Sequence, residues 1–174
     1  MTATVVESTI DVALWFMDQA RREDDYLQPQ KLQRLIYIAQ GSYAATHHGR
    51  MLMPALFVAG ETGPQDPNIF RLFEHGRPTN LGEAKIPAET LHFLDMIWRR
   101  YGHHSSDYLN QQIKHHDIYV RALKKGLGEE IPFPAIVRFF TRKERPSVKK
   151  VKTADGRVLE KWTPTAAPGQ TKPE

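Results

Sequence analysis

The chain has 174 residues, no cysteine, and 40% apolar against 25% charged residues. That length fits one domain with a short appendage. The missing cysteines exclude disulfides, thiolate metal sites and cysteine nucleophiles, and they agree with a reducing cytoplasm. The net charge of +4 is uneven: residues 1–141 hold 15 Lys and Arg against 16 Asp and Glu, whereas residues 142–174 hold 9 against 4. Basicity therefore belongs to the tail. No run of 18 apolar residues predicts a membrane span, and "MTATVVESTIDV" has no basic stretch ahead of an apolar one, so no signal peptide is expected and the location expected is cytoplasmic.

The first predicted helix is "STIDVALWFMDQARRED". Ser8 or Thr9 caps it, Asp11 and the terminal Arg21 and Arg22 suit the helix dipole, and Ile10, Ala13, Leu14, Met17 and Ala20 recur at helical spacing. The second, "LQPQKLQRLIYIAQGSYAATHHG", starts at Pro29 and stops before Gly49. Leu32, Leu35, Ile36, Ala39, Tyr43 and Thr46 form one stripe, yet Tyr37, Ile38, Gly41, Ala44 and Ala45 make the opposite side apolar or small as well. A helix apolar on most sides is surrounded. Gly41 costs roughly 1 kcal/mol relative to alanine inside a helix, which a closely approaching neighbour would justify. The polar residues Lys31, Arg34 and Gln40 either fill gaps, bind a partner, or hydrogen-bond a nearby loop; for Gln40 the expectation is that it fixes the Gly63-Pro64 loop.

Residues 52–58 read as a short strand or an extended segment, with Pro54 against a central strand. "GETGPQDP" reads as turn chemistry. Asp66 caps a third helix with Pro67 at its first position. Pro87 opens a fourth, with Leu91, Leu94, Ile97 or Trp98, and Tyr101 on its stripe. Ser105 or Ser106 caps a fifth through Tyr108, Leu109 and Ile113, Asp117 opens a sixth ending near Gly126, and "PAIVRFFTR" makes a seventh. The fold expected is all-α: a compact bundle of six or seven helices around a central buried helix at about 29–48, with a small β-like segment or hairpin and an extended C-terminal tail. The domain expected is 1–142. The basic tail, 143–174, contains a possible hairpin over 148–162 around Asp155-Gly156 and a disordered end. A lone hairpin is marginal in water, so the tail is docked, folded on binding, or mostly disordered.

Candidate chemistry is sparse. The pairs His47-His48, His103-His104 and His115-His116 sit at expected helix ends, where imidazolium helps satisfy final carbonyls, and they lack the spacing of metal ligands. Ser42 lies within a helix rather than at a strand–turn–helix elbow. "GETGPQ" lacks the lysine and helix entry of a phosphate loop. Asp24-Asp25 and Glu129-Glu130 read as solvated pairs. No enzymatic activity, catalytic residue, cofactor or metal is expected.

The residues Lys31, Leu32, Arg34, Leu35, Tyr37, Ala39, Gln40 and Gly41 in "QKLQRLIYIAQGSY" resemble the signature of the Panacea-domain antitoxin family, which includes SocA- and GepA-type proteins. Gly63-Pro64, the helical aromatic Phe70, "IWRRYG" at 97–102 and the segment Leu109 to His115 resemble later family features in the same order, over roughly residues 8–142. Val58-Ala59-Gly60 stands where the family places a tryptophan, and the tryptophan that often follows the leucine-to-histidine segment is missing. Both departures bear on the partner surface.

The resemblance implies an antitoxin that binds and neutralises a cognate protein toxin encoded by an adjacent gene. Lys31, Arg34, Tyr37, Gln40, Gly63, Pro64 and Phe70 are the implied partner-binding or motif residues. Chain length and the basic tail look most like the SocA type, which implies a proteolytic adaptor delivering the toxin to the ClpXP protease; direct inhibition without proteolysis is the alternative. An alternative of another class is a nucleic-acid-binding regulator. Lys149, Lys150, Lys152, Arg157, Lys161 and Trp162 are the residues that would meet either the protease or phosphates.

Overall fold

The computed structural model describes residues 3–144 and the backbone of two further strands, 147–152 and 158–163. Helix α1, Thr9–Arg22, is capped by Ser8, whose hydroxyl accepts from the amide of Ile10, and Arg21 and Arg22 lie in its last turn. Its buried face is Val12, Ala13, Leu14, Phe16 and Ala20, while Ile10 and Met17 are half-buried. The apolar residues beside the stripe, Trp15 and Phe16, are expected to widen it, and Phe16 does so, packing against Trp98 with ring centroids 6.4 Å apart.

Helix α2, Pro29–Thr46, is the axis of the fold, and every residue from Lys31 to Ala44 is buried. Helix α1 and five later elements pack on it: α3 (Pro67–Phe73), α4 (Ala88–Tyr101), α5 (Ser106–Ile113), α7 (Phe133–Glu144) and strand β2 (Gly63–Gln65). Leu32, Leu35 and Ile36 are fully buried; each such side chain contributes about 1.5–3 kcal/mol. The close approach expected at Gly41 is made by α7: the Phe140 ring lies over its Cα, and an added Cβ would collide with the ring. Thr46, placed on the apolar stripe by periodicity, is exposed, because the chain turns away over His47 to Gly49. Gly49, at φ +79°, donates back to the carbonyl of Ala44.

The fold is mostly helical, but it also contains a three-stranded antiparallel sheet in the order β2-β1-β3. Strand β1, Phe57–Gly60, is its centre, and β3 is Glu130–Ile131. Gly60 faces Gly63 across a two-residue connection, so the turn expected at "GETG" is that of a β-hairpin. Pro54 lies before β1 and leaves the central ladder intact. Glu130, read as part of a solvated pair, is exposed but faces Val58 in the ladder. Helix α6, Asp117–Lys125, packs over β1 and β3.

Asp66 caps α3 as expected, accepting from the amides of Asn68 and Ile69. On α4 the buried residues are Thr90, Phe93, Leu94, Ile97 and Trp98, and Leu91, expected in the core, is exposed. Phe93 takes its place and packs edge-on against Tyr43, with ring centroids 5.0 Å apart. Leu109 and Ile113 of α5 are buried, whereas Tyr108 is exposed. In the tail, β4 (Ser147–Lys152) and β5 (Val158–Thr163) pair antiparallel, with Lys149 opposite Lys161 and Val148 opposite Trp162. The proposed turn at Asp155-Gly156, Arg157 and the end after Thr163 lie outside the described residues.

Candidate functional site

The polar residues of α2 converge on the β1–β2 hairpin and its surroundings. Arg34 is 1% exposed. Its Nη1 donates to the carbonyl of Pro64 at 2.6 Å, Nη2 donates to Thr62 Oγ1 at 2.8 Å, and Nε donates to Asn110 Oδ1 on α5 at 2.7 Å. Gln30 extends the network, donating to Thr62 at 2.7 Å and accepting from Asn110 at 3.0 Å. Gln33 accepts the amide of Asp66 at 2.8 Å. Pro64 has no N–H to offer, its carbonyl is taken by Arg34, and the next free amide is taken by Gln33. Helix side chains thus replace a further strand and close the outer edge of β2. A Cβ at Gly63 would sit 2.7 Å from Arg34 Cζ and Nε, so glycine is required for the guanidinium to lie on the hairpin.

Gln40 acts elsewhere than expected. It is fully buried and clamps residues 52 and 53: Nε2 donates to the Met53 carbonyl at 2.9 Å, and Oε1 accepts the amides of Leu52 and Met53 at 3.1 and 3.2 Å. The Gly63-Pro64 segment belongs to Arg34 instead. The difference is six helical positions, or nearly two turns, between residues reaching different loops. Lys31 is buried, with its ammonium 5.9 Å from the centre of the Trp98 ring and 3.8 Å from Asp25. Tyr37 is fully buried; its hydroxyl lies 3.1 Å from His116 Nδ1, and burial raises its pKa.

Among the sequence-derived motif residues on the helical domain, Phe70 alone is exposed. It forms one wall of a concavity of about 300 Å³ shared with Gln30, Gln33, Arg34, Thr62 and Gln65. The site therefore joins Arg34, Gly63, Pro64 and Phe70, and leaves Lys31, Tyr37 and Gln40 in separate surroundings. Gln33, Asn110 and Thr62 are members that sequence reasoning missed. Gln33 had a signal: any polar residue on a helix buried on all sides needs a partner.

Arg34 has no carboxylate within ion-pair distance among the described residues, and burial lowers its pKa to about 10. His116 sits at a helix end as expected, the start of α6, but not as an imidazolium on final carbonyls: it is buried against Phe139 and Phe140, and burial first, then Lys143, lowers its pKa to about 3. It is held neutral and satisfies Tyr37, not a terminal carbonyl. His47 does sit at the end of α2, stacked on Tyr43 with its Nδ1 3.0 Å from the Tyr43 carbonyl. Among the described residues no three His, Asp or Glu side chains gather as metal ligands, and no helix is long and apolar enough to cross a membrane.

No family model, curated protein or solved structure matches the chain.

Proposed function

We propose that the chain is an antitoxin: it binds a protein toxin encoded beside it and neutralises it as an adaptor that passes the toxin to the ClpXP protease. It is not an enzyme in this reading. The observation that carries the reading is the use made of the "QKLQRLIYIAQGSY" residues. Arg34, Gln33 and Gln40 fasten a hairpin, a helix cap and an extended segment to one central helix, and Phe70 stands exposed beside them. Such bonds go to backbone and amide groups and fix the shape of a surface. A pre-organised surface binds a polypeptide without first losing loop entropy.

Leu56, Leu72, Leu91 and Met96 are further exposed apolar side chains on this domain, and interfaces are built around such anchors with polar rims. The basic tail supplies the second half of the adaptor: cargo on the helical domain, protease contact through Lys149, Lys150, Lys152, Arg157, Lys161 and Trp162. Linking two binding elements through a short flexible connection gives an effective concentration on the order of millimolar.

A chain ending at Glu144 separates the two halves. In a reconstituted reaction with ClpXP and toxin, the truncated chain should bind toxin as the full chain does and fail to promote its degradation. Degradation at the full-length rate would remove the adaptor role. Neutralisation in a ClpXP-free assay would select direct inhibition. Tail binding to duplex DNA with affinity falling steeply in salt would select the nucleic-acid reading.

A further inference from the structure

The concavity beside the hairpin has two features that scaffolding leaves unexplained. Gln33 is 1% exposed, and its amide orientation is fixed, because Oε1 must face the donating N–H of Asp66. Its Nε2 is then a donor with no partner among the described residues. A buried unmet donor costs about 1–3 kcal/mol. Arg34, one position along, carries a positive charge into the same buried wall with no carboxylate in ion-pair range. Its three bonds use three of five guanidinium N–H groups. Thr62 Oγ1 accepts from both Gln30 and Arg34, which leaves its own proton to donate elsewhere.

Unused donors, a buried guanidinium with no carboxylate in ion-pair range and an adjoining aromatic face, Phe70, ask for one kind of group: an anionic acceptor on an apolar-backed stem. We infer that this concavity receives the side-chain carboxylate of a glutamate or aspartate from the bound polypeptide, with Gln33 Nε2, Arg34 and the Thr62 hydroxyl as its donors and Phe70 against its stem. The inference rests on the reading of the protein as a polypeptide binder. A side-chain carboxylate fits better than a chain terminus, since terminal carboxylates are usually taken by clustered backbone N–H groups and the hairpin edge here has its backbone groups already engaged. Gln33 Nε2 is out of solvent contact, so admitting the group requires Gln65, half-buried, and Phe70, exposed, to move aside on the same lining. Glu61, a carboxylate on the lining, is exposed and makes no ion pair with Arg34. It opposes an incoming anion.

The test uses the full chain and three probes: N-acetyl-glutamate N-methylamide, its glutamine counterpart, and N-acetyl-glycine, whose only carboxylate is terminal. The readout is the side-chain NH2 resonance pair of Gln33 in nitrogen-edited NMR, followed during titration. The glutamate probe should give a saturable downfield shift, and the other two should not. Gln33→Glu keeps an oxygen for the Asp66 amide and replaces the donor by a second oxygen. In that variant the neighbouring backbone shifts should need at least tenfold more probe, while the melting temperature holds or rises. Glu61→Gln should tighten binding two- to fivefold. No saturable shift, equal shifts from the glutamine probe, or a response to N-acetyl-glycine alone would each overturn the assignment, the last by naming a chain terminus as the source. Probe binding needs no toxin, so a positive titration alongside a failed toxin assay breaks the antitoxin reading and spares the pocket; the opposite pair of results does the reverse.

Discussion

Replacing Gln40 by alanine removes three buried hydrogen bonds at one stroke, to the Met53 carbonyl and to the amides of Leu52 and Met53, 2.9 to 3.2 Å long. Each bond contributes about 1 kcal/mol net, and each backbone group left unmet in the interior costs about 1–3 kcal/mol. Neither Leu52 nor Met53 is exposed to water, since both are fully buried. The expected loss is therefore about 3–5 kcal/mol, a large share of the stability of a single domain. In the melting curve this is a drop of roughly 10 °C or more. Urea unfolding followed by far-ultraviolet circular dichroism measures it, with an unchanged slope showing that the unfolded state is not the cause. On the proposed antitoxin reading, toxin affinity at a temperature well below the transition should stay the same, because Gln40 has no exposed surface. A loss under about 1 kcal/mol would refute the reasoning, since it would mean the 52–53 backbone finds other partners. A large fall in affinity with an unchanged melting temperature would make Gln40 a contact residue.

Gly41→Ala gains about 1 kcal/mol of helix propensity, but its methyl meets the Phe140 ring; overpacking of this kind costs about 1–3 kcal/mol, so a net loss is expected in chemical denaturation, and pairing it with Phe140→Leu should recover part of that loss. Phe140→Ala alone should cost about 3–5 kcal/mol through the cavity left beside α2. His116 has a folded pKa of about 3 against about 6.5 when free. Its contribution is complete above pH 6.5 and drains away as pH falls through that window, because the unfolded chain takes up the proton more readily. Urea midpoints between pH 7 and 4 should fall more gently for His116→Gln than for the natural chain, and parallel profiles would contradict the buried neutral imidazole.

Local chemistry made most elements legible. Ser8 and Asp66 announced two helix starts through their side chains, and Pro29 and Pro67 marked first turns. The apolar surround of α2 foretold its burial, and Gly41 foretold a close neighbour, though not that Phe140, some hundred residues on, would supply it. Short strands hid the sheet: β2 holds three residues, of which one is glycine and one proline, so its composition is that of a turn. What makes it a strand is the pairing with β1 and the α2 side chains that close its edge, both contacts between distant positions. The same holds for the site. Arg34 meets Asn110 across 76 positions, and Tyr37 meets His116 across 79. Spacing along one helix cannot report such partners, and it does not distinguish the loop that Gln40 holds from the one that Arg34 holds.

Co-expression with the neighbouring reading frame tests the central claim most directly. The account predicts that the neighbour alone arrests growth, that this chain restores it, and that the two proteins elute together in purification. Arrest that this chain fails to relieve, with no complex recovered, would contradict it.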